Sequence, residues 1–439
     1  MRTRILLLQS LLFLALGFVS LLAQATPAID HWVLANGTRV YFVESHELPM
    51  VRVSLVFDAG SARDAKGKAG QAALVSHLLS EGAGDLDGDE IARRLEGLGA
   101  ELSGDADRDI TSVGLRTLSD DALLYPALDL LAAIVRDPAF PESSLDRERG
   151  RLLVGLKQAE ETPGDIAERA FYRTVFGDHP YAHDPSGERE SVQGITRNDL
   201  VAFHRQYYVG ANAVLVMVGD LKKRQARRIA LRVAGGLPKG KRAAALPAIS
   251  PLTQAQRRDI AHPSSQTHIL MGQPGMRRGD PDYFPLYVGN HILGGSGLVS
   301  RLSNEVREKR GLSYSVYSYF YPLRLEGPYV IGLQTRNEKK AEAETVLRNT
   351  LRAFIENGPG DAELQAAKKN LTGGFPLRID NSGKIASYLA VLGFYDLPLT
   401  YLDDFNGHIE AVTAAQIRDA FRRRIHPDRL VAVTVGGKN

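Results

Sequence analysis

The sequence predicts an α+β fold written twice, as two domains of like topology joined by a linker. Three observations lead to this. Residues 195–219, ITRNDLVAFHRQYYVGANAVLVMVG, align without gaps on 412–436, VTAAQIRDAFRRRIHPDRLVAVTVG. Each half opens with strand patterns and continues with helices, which is the α+β order. Between the halves, residues 236–256, GLPKGKRAAALPAISPLTQAQ, are rich in Pro, Ala and Lys and lack sustained periodicity, as a linker does.

The repeat holds residue by residue. Thr196 meets Thr413, Leu200 meets Ile417, and Val214, Val216, Val218 and Gly219 meet Val431, Val433, Val435 and Gly436. Both copies read as a helix followed by a strand that ends at Gly. Earlier, Leu55-Val56-Phe57 aligns with Ile269-Leu270-Met271, and His77-Leu78-Leu79 with His291-Ile292-Leu293. A period this long marks a duplicated domain rather than a solenoid. In the first half, strands are expected at Val40–Val43, after an Asn36-Gly37 turn, and at Val51–Phe57. Helices are expected over 68–81, 88–98, 120–136 and 142–159.

The N-terminus stands apart. Arg2 and Arg4 precede an apolar run from Ile5 to Leu22, and Ala23-Gln24-Ala25 has the A-x-A form of a cleavage site. Residues 1–25 therefore read as a secretory signal peptide, with an uncleaved anchor as the alternative. The domains expected after it are 26–235, the linker 236–256, and 257–439. The net charge of +3 gives no electrostatic case for nucleic acid, and no second stretch is long and apolar enough to insert stably in a membrane. There is no cysteine, hence no disulfide, thiolate ligand or catalytic thiol. An exported, cysteine-free chain fits a bacterial periplasm.

Residues 293–318, LGGSGLVSRLSNEVREKRGLSYSVYS, carry the chemistry. Val299, Leu302 and Val306 are expected on one helical face. Gly311 ends the helix, and Leu312, Tyr314, Val316, Ser318 and Phe320 are expected on one face of a strand. A short reversal would bring Arg307 and Tyr314 together. The segment resembles the C-terminal-domain signature of the pitrilysin/insulinase-type zinc peptidases, which include the mitochondrial processing peptidases. The resemblance covers nearly all of the chain after residue 25. It implies two α+β domains forming half of a clamshell around a chamber. It also implies that Tyr314 approaches the scissile carbonyl while Arg307 orients Tyr314 or binds substrate backbone.

The same resemblance implies a zinc helix, H-x-x-E-H, in the first domain. His at i and i+4 share one helical face and can reach one ion, and the intervening Glu serves as general base. The matching segment here is Gly70-Gln71-Ala72-Ala73-Leu74-Val75-Ser76-His77. Ala73 takes the first ligand position, Ser76 the base position, and only His77 remains. The third ligand, a Glu, falls at about Gly155, in a stretch from Arg149 to Ala159 without Asp or Glu. Glu148 and Glu160 flank it out of register. His77 is expected to be half-buried and structural, and His179-Pro180-Tyr181-Ala182-His183 to be a structural loop.

One imidazole makes no zinc site, so no metal is expected in this chain. The resemblance implies zinc in a homologous partner subunit instead. Two functions follow. By resemblance to the family's two-chain branch, in which one chain can supply the zinc helix and the other the Arg–Tyr segment, the chain is expected to be a non-catalytic subunit of a periplasmic zinc peptidase heterodimer, lending Arg307 and Tyr314 to the partner's zinc for peptides or unfolded segments. Alternatively it is a structural or peptide-binding scaffold with no part in catalysis. A chain cutting peptides alone is the least expected reading.

Overall fold

The computed structural model describes residues 26–437. The signal-peptide segment lies outside the described residues. Two sheets organise the chain. The first has six strands in the order Asp30–Val33, Arg39–Glu44, Ala213–Gly219, Met50–Phe57, Thr111–Leu118 and Glu101–Ala106. The second has five, in the order Gln256–Ile260, Val431–Val435, Gln266–Pro274, Pro328–Arg336 and Val316–Phe320. Apart from the added first strand, the orders correspond one to one. Even the parallel pairs correspond: Arg39–Glu44 with Ala213–Gly219, and Gln256–Ile260 with Val431–Val435. Gly219 and Gly436 both end their strands at positive φ, +140° and +143°, where a Cβ would strike the backbone of the adjoining strand. The fold is thus two α+β domains of one topology. Residues from Pro238 to Ala255 are in neither helix nor strand, and Gln256 already belongs to the second sheet.

The four helices expected early in the first half run over Gln71–Leu78, Gly88–Gly97, Asp121–Arg136 and Glu142–Glu161. The first is shorter than its 68–81 pattern because Gly70, at φ +94°, starts it and a tighter turn, Leu79–Glu81, ends it.

Both faces of the sheets are covered, and the second face is covered by the other domain. Val40, Phe42, Val53, Leu55 and Met217 pack on the first domain's own helices. Tyr41, Val43, Val214, Val216 and Val218 pack into a core shared with Ile385, Leu389 and Leu392 of helix Ser382–Phe394, from the second half. Reciprocally, helix Pro163–Phe176 of the first half packs Phe171, Tyr172 and Val175 on Val431, Val433 and Val435. This double burial explains why Ala213–Gly219 is an unbroken apolar run rather than an alternating one. Gly393 lets the exchanged helix approach closely: a Cβ there would lie 2.6 Å from Val214 and 2.7 Å from Tyr41.

Polar contacts pin the exchange. Asp109, buried in the first half, accepts from the Tyr181 hydroxyl at 2.7 Å, the Tyr395 hydroxyl at 3.0 Å and the Arg324 amide at 2.6 Å. Burial raises its carboxyl above the usual range, and these three donors oppose that rise. His179 and His183 serve the frame as well: His179 Nε2 reaches Pro247 of the linker at 3.0 Å, and His183 Nε2 reaches the Ser61 carbonyl at 2.9 Å. No helix among the described residues is long and apolar enough to cross a membrane.

Candidate functional site

Helix Gln71–Leu78 buries Leu74, Val75 and Leu78 and leaves His77 outward. The His77 side chain is 46% exposed. At i+2 and i+3 from Val75 and Leu74 it falls on the rim of the buried stripe, and no group among the described residues hydrogen-bonds it. Ala73 and Ser76 are buried. Among the described residues the Ser76 hydroxyl has no hydrogen-bond partner, and it faces Gly104, where a Cβ would sit 3.4 Å away. The base position therefore faces strand Glu101–Ala106, the free edge of the first sheet.

Helix Glu142–Glu161 packs beside this one. Gly155 is exposed, with nothing within 4 Å of where a Cβ would be. Glu148, out of register with the ligand position in the sequence, is the acid that this helix brings nearest to His77. It is buried, and its Oε2 lies 4.0 Å from His77 Nδ1, beyond hydrogen-bond reach. Arg151 Nη1 donates to that same oxygen at 3.2 Å and lies equally close to the other. Glu148 and Gly155 are seven residues apart, two helical turns, and so share a face. That spacing was the available signal. One imidazole and one carboxylate fall short of a zinc set. Among the described residues, no group of three or more His, Cys, Asp or Glu is placed to hold a metal ion.

The Arg–Tyr segment is more broken than its pattern. Ser300 accepts from the Ser303 amide at 3.2 Å and caps a helical turn that starts at Arg301. Val299 thus precedes the helix and is 86% exposed rather than packed with Leu302 and Val306, which are fully buried. Asn304–Glu308 continues as a wide π turn, a form frequent at functional sites. Gly311, at φ +58°, reverses the chain, with the Gly311 amide on the Arg307 carbonyl and the Leu312 amide on that of Val306, both at 2.9 Å.

The strand begins at Val316, not Leu312. The Ser313 hydroxyl donates to the Ser315 carbonyl at 2.7 Å and accepts from its amide at 3.2 Å, a local turn that competes with strand pairing. Tyr314 is consequently off the core face and 90% exposed. Val316 and Ser318 point inward, while Tyr317 and Tyr319 point outward with their rings stacked. A buried reciprocal pair fixes the strand: Asn290 Nδ2 donates to the Ser318 carbonyl at 2.9 Å, and the Ser318 hydroxyl donates to Asn290 Oδ1 at 2.7 Å. Arg307 has one carboxylate nearby among the described residues, Glu308 at 3.5 Å, and no hydrogen bond joins it to Tyr314.

Two adjoining cavities link the halves. One, of about 470 Å³, is lined by Arg108, Arg151, Gly155 and Arg169. The other, of about 380 Å³, is lined by His268, Ser315, Tyr317 and Tyr319. They share Asp165, Glu168 and Tyr172. Arg108 stacks on the Tyr172 ring at 3.6 Å, and burial pushes the Tyr172 phenol up to about 12. The third-ligand position and the start of the tyrosine strand thus border one interior.

Residues 39–186 match the family model described as insulinase (peptidase family M16), and residues 194–371 match the peptidase M16 inactive domain. The crystal structure of a peptidase M16 inactive domain from Pseudomonas fluorescens superposes with a TM-score of 0.90 at 38% identity, covering 94% of this chain and 98% of that one.

The chain belongs to the insulinase (M16) peptidase family.

Within that family it is an inactive-type member. It is 26% identical to a non-peptidase homolog from Helicobacter pylori, over 91% of this chain and 92% of the relative. It is also 28% identical to an uncharacterized zinc protease from Streptomyces coelicolor, over 89% and 85%. The M16 resemblance and the two-domain fold read from the sequence both hold.

Proposed function

We propose that this chain is the non-catalytic subunit of a periplasmic zinc metallopeptidase heterodimer, presenting Arg307 and Tyr314 to the zinc site of a homologous partner. The observation that carries this reading is the contrast within one chain. The zinc set is reduced to His77, while Tyr314 is held in solvent at 90% exposure by a dedicated turn. A tyrosine kept for packing would be buried.

The chemistry gives the pair a task. When water held on a partner's zinc attacks a peptide carbonyl, negative charge develops on the carbonyl oxygen. A phenol O–H aimed at that oxygen stabilises it, and a guanidinium can hold the phenol or the substrate backbone. The free edge Glu101–Ala106 and the cleft lined by Tyr172, Tyr317 and Tyr319 suit an extended peptide or unfolded segment. The periplasmic placement rests on the N-terminal sequence pattern and the absence of cysteine.

Affinity purification of the tagged chain from the periplasmic fraction tests the pairing. A co-purifying homologue with an intact H-x-x-E-H is expected. Recovery of the chain alone, or only with non-peptidase proteins, would favour the scaffold reading.

A further inference from the structure

We propose that the face built by helix Lys223–Ala234 and strand Asp30–Val33 docks on an anionic phospholipid surface. From Leu221 to Arg258 the chain carries eleven Lys and Arg and no Asp or Glu, although its net charge is only +3. The structure gathers much of this run on one side. Helix Lys223–Ala234 buries Ala226, Ile229, Ala230 and Val233 against the first domain. Lys223, Arg224, Arg227, Arg228, Leu231 and Arg232 are exposed at the complementary three- and four-residue spacing.

Neighbouring acids neutralise part of this charge. Lys223 pairs with Asp30, and Arg232 pairs with Asp129 at 2.5 Å. Asp121, on the adjoining helix, is met by Gln225 at 3.2 Å. Among the described residues, no carboxylate pairs with Lys222, Arg224, Arg227, Arg228, Lys239 or Lys241. A surplus of unpaired cations on a short surface attracts a polyanion.

Two further observations favour lipid over other polyanions. The cations are interleaved with groups that partition into a membrane interface: Val33 is 57% exposed, Leu231 is 60% exposed, and half-buried Trp32 lies 5.1 Å beneath the Arg227 guanidinium. In sequence, only residues 23–29 separate the apolar run Ile5–Leu22 from strand Asp30–Val33. Strand Asp30–Val33, the first element of the fold after that run in sequence, lies beside the cationic helix. Docking here would leave the Arg–Tyr segment, in the other domain, for a partner.

The chain's single tryptophan is a built-in reporter. The test titrates the full chain with phosphatidylcholine vesicles, with and without phosphatidylglycerol, and follows Trp32 emission and its quenching by brominated acyl chains. Tighter binding to the anionic vesicles, by about tenfold or more, is expected, with a blue shift, quenching, and weakening as salt rises. The variant Lys222→Glu/Arg224→Glu/Arg228→Glu alters only exposed side chains and keeps Arg2, Arg4 and Arg227. It is expected to lose most of that preference with its circular dichroism and Tm unchanged. Equal binding to both vesicles, an undiminished preference in the variant, or bound protein whose Trp32 is not quenched would overturn the proposal. So would tighter binding to duplex DNA than to anionic vesicles at the same ionic strength.

Discussion

The Ser313 hydroxyl bonds both polar groups of the Ser315 backbone, and this local turn is what keeps Tyr314 out of the strand that follows. Removing it should release the segment to its sequence preference. Ser313→Ala is expected to cost about 1 kcal/mol of stability and to lower the activity of the proposed complex more than its assembly. Urea denaturation of the chain, alongside peptidase assays of the complex, separates the two effects.

The exchanged helices should be sensitive to single methyl groups. Gly393→Ala places a Cβ against Val214 and Tyr41 and is expected to destabilise by about 1–3 kcal/mol, despite the better helix propensity of Ala. Gly155→Ala, where the added Cβ meets open space, is expected to stabilise by up to about 1 kcal/mol. Opposite shifts in thermal midpoint check the pair.

Two buried histidines predict a pH dependence. Burial lowers the affinity of His179 and of His204 for a proton. Each donates through Nε2 to a carbonyl, Pro247 at 3.0 Å and Val135 at 2.8 Å. His179 Nδ1 also accepts from the Tyr181 amide at 3.1 Å, so it must stay unprotonated. With folded pKa values below the unfolded 6.5, the unfolded chain binds more protons as pH falls, and stability drops with it. The Tm is expected to fall from pH 7.5 to 5.5, and His204→Gln to flatten that slope.

The duplication, the α+β order and the loss of the zinc set were all legible in the sequence, because repeats and motif positions are one-dimensional. Three features were not. An apolar helix face does not say which sheet it will cover, so the exchange of Pro163–Phe176 and Ser382–Phe394 had no sequence signal. Tyr314 alternates correctly with Val316 and Ser318, but a serine hydroxyl broke the strand before the alternation could apply. Glu148 looked out of register against a ligand position, yet two helical turns bring it to the same face, beside His77.

Metal content follows from that geometry. The chain as isolated is expected to hold no stoichiometric zinc. Ala73→His/Ser76→Glu should not bind it tightly either, since the third ligand near Gly155 is still missing. Elemental analysis after dialysis against a weak chelator decides both, and one zinc per chain in either protein contradicts the account.

The central claim is that Tyr314 acts on a partner's zinc chemistry. Its most direct test is the turnover of a model peptide by the zinc-bearing homologue, alone and with the wild-type or Tyr314→Phe chain. The account predicts a partner that is nearly inactive alone, activation by wild type, and a loss of kcat of about 10²–10³-fold with Tyr314→Phe, while the complex still forms. A partner fully active by itself, or one stimulated equally by both chains, would contradict it.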